Sequence, residues 1–150
     1  MVWLRFTLLL QLAGAALGSK GFSKPAIGFN TCNICCGNAT FPNAAFVLGT
    51  AAAMMARGFD KAGWCFVNMD DGWSQPPNPA GTQVPYRSKF PKGLKGMIDE
   101  LHSMGFKAGV YTALATDTCG HHAGSCNHES ANAAAYAAWG VDCACCLARV

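Results

Sequence analysis

Residues 63–73 read GWCFVNMDDGW, and the rest of the chain is organised around this stretch. The apolar run at 64–69 has the length of one buried strand, and two carboxylates follow it directly. In α/β sheets with parallel strands, ligands bind at the carboxyl ends of the strands. Asp70 and Asp71 are therefore predicted to lie at the mouth of a site, beside the flat face of Trp73. The alternative is that the two aspartates cap the turn that follows.

Strands and helices alternate on both sides of this stretch. The patterns predict strands at 26–29, 64–69 and 107–113 and a fourth strand that begins near 141, with helices at 42–57, 94–104 and 130–139. A glycine separates each helix from the next strand, at Gly63, Gly105 and Gly140. Because each helix returns the chain to a parallel strand, the predicted topology is βαβαβα.

Two α/β architectures fit this topology, a doubly wound sheet or half of a (β/α)8 barrel. A complete barrel usually needs ~250 residues, so a barrel of this length would be incomplete. The expected class is therefore α/β, with about four strands and three helices.

The amino-terminal residues 1–18 have the charged start, short apolar stretch and small-residue cleavage site of a secretory signal peptide. Their apolar stretch of roughly a dozen residues is shorter than the ~20 that span a bilayer, and no later apolar run is longer. We therefore expect export, no membrane span, and one domain at 19–150. A net charge of +3 with scattered basic residues does not favour nucleic acid as a partner.

The chain has nine cysteines, which in an exported protein predict disulfides. An odd number leaves at least one cysteine unpaired or bonded to another molecule. The alternative is a zinc site, formed from the C-x-x-C at 32–35 and the cysteines and histidines at 119–128. Without a second C-x-x-C we expect disulfides and no metal. Asn38 begins an Asn-x-Thr triplet and is a candidate for N-glycosylation.

Five blocks, in order, resemble glycoside hydrolase family 27, the α-galactosidases and α-N-acetylgalactosaminidases. The blocks are PAIGFN at 25–30, GFDKAGWCFVNMDDGWS at 58–74, FPKGLKGMIDELHSMGFKAGVYT at 90–112, TCGHHAGS at 118–125 and AYAAWGVD at 135–142. The resemblance implies a (β/α)8 TIM barrel followed by a β domain. This chain is expected to be the amino-terminal half of that barrel. It also implies retaining hydrolysis of terminal α-galactosides in oligosaccharides or glycoconjugates, no cofactor, and a secreted or vacuolar and lysosomal location.

The resemblance also assigns residues to the sugar site. Asp70 and Asp71 match the aspartates that bind the 4- and 6-hydroxyls of the sugar, Trp73 matches an adjacent aromatic, and Tyr111 matches the tyrosine that ends the third strand. Ionised carboxylates are suited to this role because they accept hydrogen bonds from hydroxyls. Cys119 matches a family cysteine that forms a disulfide, although Arg149 stands where its partner is expected.

The catalytic residues depart from the family pattern. A retaining glycosidase needs two carboxyl groups about 5–5.5 Å apart. The family's nucleophile position falls on Leu147 and the sugar-binding lysine position on Cys145, and the general acid belongs to the second half of the barrel. Asp142 is no substitute, because five residues of strand would separate it from the tip by roughly 16 Å.

Two further departures affect the first-strand motif, where Phe29 and Cys32 replace the family's tryptophans. The abrupt change after Asp142 is what a changed reading frame or an exon misjoin would produce. We therefore expect an α-galactosidase-like hydrolase that is catalytically incomplete as given. The alternative is a non-enzymatic exported protein that binds galactose or serves as a cysteine-rich interaction module.

Overall fold

The computed structural model describes residues 25–35 and 40–147. The proposed signal peptide, Asn38 and Arg149 lie outside these residues. The described strands are β1 (Gly28–Asn30), β2 (Phe66–Met69), β3 (Ser74–Gln75), β4 (Val84–Pro85), β5 (Lys107–Ala113) and β6 (Cys143–Leu147). The described helices are α1 (Cys32–Cys35), α2 (Ala44–Ala56), α3 (Gly93–Ser103) and α4 (Glu129–Trp139).

Four strands form one parallel sheet in the order β1-β2-β5-β6. The register places Asn68 between Asn30 and Gly109, and Gly109 opposite Cys143. The predicted parallel α/β topology is confirmed. Within the described residues β1 and β6 are the outer strands, and the sheet does not close into a barrel.

The three predicted glycine junctions are confirmed. Gly63, Gly105 and Gly140 have φ values of 91°, 86° and 82°. This left-handed conformation is open to glycine without the steric cost that a Cβ brings. Gly105 and Gly140 lie within two residues of the last residue of α3 and α4, whereas α2 ends at Ala56 and Gly63 lies in the turns that lead to β2. At the start of α2, the side chain of Asn43 accepts a hydrogen bond from the N–H of Phe46 at 2.9 Å.

Helices cover one face of the sheet and form the hydrophobic core with it. Its fully buried members include Val47 from α2, Ile98 and Leu101 from α3, and Val67 and Val110 from the strands. On the other face, the side chain of Asn68 occupies the space that a Cβ at residue 109 would need. Because residue 109 is a glycine, the side-chain amide of Asn68 on β2 can lie directly against the backbone of β5.

The main differences from the predicted elements lie at strand ends. Strand β2 begins at Phe66 rather than at Trp64, whose side chain is 41% exposed and packs edge-on against Phe59. The predicted loop after Trp73 contains the short antiparallel pair β3–β4, and α1 was not predicted. Among the described residues, no helix has the length and apolar character needed to cross a membrane.

Candidate functional site

The two predicted site aspartates lie at the carboxyl end of β2, beside the end of β1. The backbone N–H of Asp70 donates a 2.8 Å hydrogen bond to Oγ1 of Thr31, the residue that follows β1. Thr31 is fully buried, and its own N–H donates to the carbonyl of Asn68 at 3.1 Å. A buried hydroxyl thus fixes the backbone from which the Asp70 carboxylate projects.

The carboxylates of Asp70 and Asp71 are partly exposed and differ in their hydrogen bonds. Asp70 Oδ1 accepts from the N–H of Asp71, and Asp71 Oδ1 accepts from the N–H of Gly72, both at 2.9 Å. Asp71 Oδ2 accepts from the N–H of Gly120 at 2.9 Å. Among the described residues, Asp70 Oδ2 has no hydrogen-bond donor. The pair therefore caps its own turn, as the alternative interpretation predicted, and also keeps acceptor capacity for a ligand.

Tyr111 lies on β5, close to the carboxyl end of the sheet. Its hydroxyl donates to the Sγ of Cys119 at 3.7 Å, and its side chain is largely buried. Burial, the hydrogen bond and charge interaction with Cys119 and, to a smaller extent, the charge of Asp71 together raise the pKa of Tyr111 to about 12. The phenol is therefore neutral over the physiological range.

Trp73 lies beneath the site and not in its mouth. The chain reverses at Gly72, where φ is 84°, and the indole that follows is 1% exposed. Its N–H donates to the carbonyl of Tyr111 at 2.8 Å, and its ring packs edge-on against Tyr136 and Trp139. The predicted contact between the flat face of Trp73 and a sugar must be corrected, because the turn directs this ring into the core.

Three residues that support the site were not predicted from the sequence: Thr31, Lys89 and Gly120. Lys89 Nζ donates to the carbonyl of Gly72 at 2.6 Å and to that of Phe41 at 3.2 Å, which fixes the turn after the aspartates. Each of these contacts joins a side chain to a backbone group far away in the sequence. A motif search therefore has no signal for them except the placement of Gly120 within the family-like TCGHHAGS block.

A buried polar network anchors the segment between β5 and α4 that carries Cys119 and Gly120. The backbone N–H of Gln83 donates to Asn132 Oδ1 at 2.8 Å, and its side-chain amide donates to Thr112 Oγ1 at 3.2 Å. Thr112 and Ser125 share a 2.8 Å hydrogen bond, and the hydroxyl of Tyr136 donates to Gln83 Oε1. Buried polar groups that satisfy one another in this way hold the flanks of the loop in one arrangement.

The carboxyl end of β6 offers no acidic residue to this site. Leu147, which the resemblance predicts to stand at the family's nucleophile position, pairs with Ala113, two residues beyond Tyr111. Asp142 lies at the opposite end of the sheet, where its Oδ2 accepts from the N–H of Ala108 at 2.9 Å and lies 2.8 Å from His102 Nε2. Asp142 thus joins β6 to the start of β5 and the end of α3, away from the aspartate pair.

In the part of the chain that the structure describes, the cysteines and the other potential metal ligands do not form a second binding site. Cys65, Cys119 and Cys126 are thiols there, and the disulfide expected at Cys119 stays a prediction. The described residues also contain no group of three or more side chains suited to hold a metal ion.

Comparison with known proteins shows the same family from sequence and from structure. The family model described as "Alpha galactosidase A" matches residues 28–147. A probable alpha-galactosidase of Dictyostelium discoideum is 35% identical over 145 residues, which are 95% of this chain and 37% of that protein. The matched range ends at residue 147, five residues past Asp142, and the loss of the family's motif after Asp142 stays a prediction.

Two solved structures share the fold. Alpha-galactosidase I of Mortierella vinacea superposes with a TM-score of 0.78 at 31% identity, over 85% of this chain and 32% of that one. The α-galactosidase of Saccharomyces cerevisiae with raffinose gives a TM-score of 0.76 at 27% identity, over 83% of this chain and 27% of that one. The chain thus spans about a third of the length of the proteins it matches.

Proposed function

Because this chain belongs to the alpha galactosidase A family, glycoside hydrolase family 27, we propose that it forms the galactose-recognition part of an α-galactosidase-like barrel. In this role Asp70 and Asp71 accept hydrogen bonds from the 4- and 6-hydroxyls of a terminal galactose. Tyr111 contributes a neutral phenol beside them. Trp73 supports the pair from below.

The observation that carries this proposal is the arrangement of the aspartate pair. Both carboxylates lie at the carboxyl end of a parallel strand, both are partly exposed, and Asp70 Oδ2 has no donor among the described residues. Such an oxygen can accept a hydrogen bond from a ligand hydroxyl without first losing a hydrogen bond to the protein. Hydrogen bonds to an ionised acceptor are roughly twice as strong as those between neutral groups.

The proposed substrate class is an α-galactoside, either an oligosaccharide or a glycoconjugate. The likeness to the yeast enzyme solved with raffinose supports this class. A secretory route is supported by the pattern of residues 1–18, and with it N-glycosylation at Asn38 and a disulfide at Cys119. Each of these three features is part of the proposal.

Hydrolysis requires more than this chain supplies among its described residues. A retaining mechanism needs a carboxylate nucleophile and a second carboxyl group as acid and base. An aliphatic residue, Leu147, occupies the nucleophile position, and the family's acid and base belongs to a later part of the barrel. This observation favours a second candidate function, in which the chain binds galactose without cleaving the glycosidic bond.

The test is galactose binding by calorimetry with the single variants Asp70→Asn and Asp71→Asn. Each should lose a charge-assisted hydrogen bond, about 1.5–3 kcal/mol, and therefore bind galactose roughly tenfold or more weakly. Asp99→Asn is the control, because Asp99 forms an exposed pair with Lys95 on α3. Unchanged affinity in both site variants would exclude the sugar role.

A further inference from the structure

Gly120 connects the loop between β5 and α4 to the aspartate pair. Its backbone N–H donates a 2.9 Å hydrogen bond to Oδ2 of Asp71, a residue 49 positions earlier in the chain. This is the contact through which the loop can set the direction of the Asp71 carboxylate, because the other oxygen of Asp71 is bonded within its own turn.

The surroundings of Gly120 leave no room for a side chain. A Cβ at this position would lie 2.8 Å from Asp71 Oδ2 and 3.4 Å from both Asp71 Cγ and His122 Cδ2. The φ of Gly120 is outside the left-handed region, so its backbone would accept alanine. Glycine is needed here for space and not for its backbone conformation.

The loop around Gly120 is held by its own hydrogen bonds. The N–H of Thr118 donates to the carbonyl of His122 at 2.8 Å, and the N–H of His122 donates to Oγ1 of Thr118 at 3.0 Å. An added methyl group, carried on this fixed backbone, would meet the end of the Asp71 carboxylate and the edge of the His122 ring. The carboxylate is the part that can move.

We propose that Gly120 is a positioning residue that sets the direction of the Asp71 carboxylate and so determines how tightly the site binds galactose. This inference rests on the proposed function, since it gives Asp71 a sugar to bind. Gly120 acts through Asp71 and does not itself contact the ligand.

A double-mutant cycle tests the inference. Galactose affinity is measured by calorimetry for Gly120→Ala, for Asp71→Ala and for the double variant. We expect Gly120→Ala to weaken binding about tenfold in the wild-type background and to have no further effect once Asp71 is alanine. Gly49→Ala is the matched control, because a Cβ at residue 49 meets nothing within 4 Å, and it should bind as the wild type does.

Different outcomes separate this inference from the proposed function. Wild-type binding by Asp71→Ala would overturn the role of Gly120, and wild-type binding by Asp70→Ala as well would overturn the proposed function too. Weakened binding by Asp71→Ala, together with no effect of Gly120→Ala or an equal effect in both backgrounds, would overturn only the role of Gly120. If Gly120→Ala does not fold, the amide proton resonance of Gly120 is compared in wild type and Asp71→Ala: a shift on removal of the carboxylate supports the contact, and an unchanged resonance overturns it.

Discussion

Asp70 and Thr31 are joined across two strands by a 2.8 Å hydrogen bond from the N–H of Asp70 to Oγ1 of Thr31. Thr31→Val keeps the shape of the buried side chain and removes the acceptor. We expect it to lower the free energy of unfolding by about 1–2 kcal/mol, because the N–H of Asp70 loses its partner. Galactose affinity should fall as well, since the backbone that carries the Asp70 carboxylate is released. Urea unfolding and calorimetry measure the two effects.

Thr31→Ser is the control for this prediction. It keeps the hydroxyl and loses one buried methyl group, at a cost of about 1 kcal/mol in stability. Galactose affinity should stay at the wild-type level. If the valine and serine variants bind galactose equally well, the hydroxyl of Thr31 has no part in placing Asp70.

Trp73→Phe tests the location of this residue beneath the site. The change removes the indole hydrogen bond to the Tyr111 carbonyl and leaves a gap beside Tyr136. We expect a loss of about 2–3 kcal/mol in the free energy of unfolding, by the usual cost of a lost buried hydrogen bond and cavity. Galactose affinity of the folded variant should change little. A weakened affinity with unchanged stability would instead indicate that the ring contacts the sugar.

The sequence predicted the parallel sheet, the long helices and the aspartate pair because these depend on local patterns. The interval from Leu94 to Leu101 carries a helical apolar stripe, and β5 was predicted with its observed bounds. Gly105 and Gly140 marked the ends of helices because a left-handed φ is costly for other residues.

The residues that position the site could not be predicted, because their contacts are long-range and use the backbone. No pattern near Thr31 in the sequence indicates that its hydroxyl accepts a hydrogen bond from the N–H of Asp70. Likewise, no pattern near Gly120 indicates that its N–H donates a hydrogen bond to Asp71. Trp73 was misplaced for a related reason. An aromatic residue after a strand can face the mouth or the core, and the turn at Gly72 decides between them.

The raised pKa of Tyr111 predicts a dependence of stability on alkaline pH. In the folded protein this pKa is about 12, above the ordinary value of 10.0, so the unfolded chain releases the proton first. The corresponding stability is present below pH 10 and is lost as the pH rises towards 12, by about 1.4 kcal/mol per pH unit. Tyr111→Phe should lack this loss. Urea unfolding of both proteins at pH 9, 10 and 11 measures it, and parallel curves would show that Tyr111 titrates normally.

The 150-residue chain is expected to release no nitrophenol from nitrophenyl α-galactoside above background. Leu147 cannot attack an anomeric carbon, and Asp142 is bonded at the other end of the sheet. Release is followed by absorbance with and without the chain. Turnover that Asp70→Ala abolishes would show that this chain is itself a glycosidase.

Titration of galactose and of glucose into the protein tests whether the aspartate pair recognises galactose. The two sugars differ in the orientation of the 4-hydroxyl, one of the groups that Asp70 and Asp71 are proposed to bind. We predict that galactose binds at least about tenfold more tightly than glucose, and that Asp70→Asn and Asp71→Asn each reduce this preference. Equal binding of the two sugars, or a preference that both variants retain, would show that the aspartate pair does not recognise galactose.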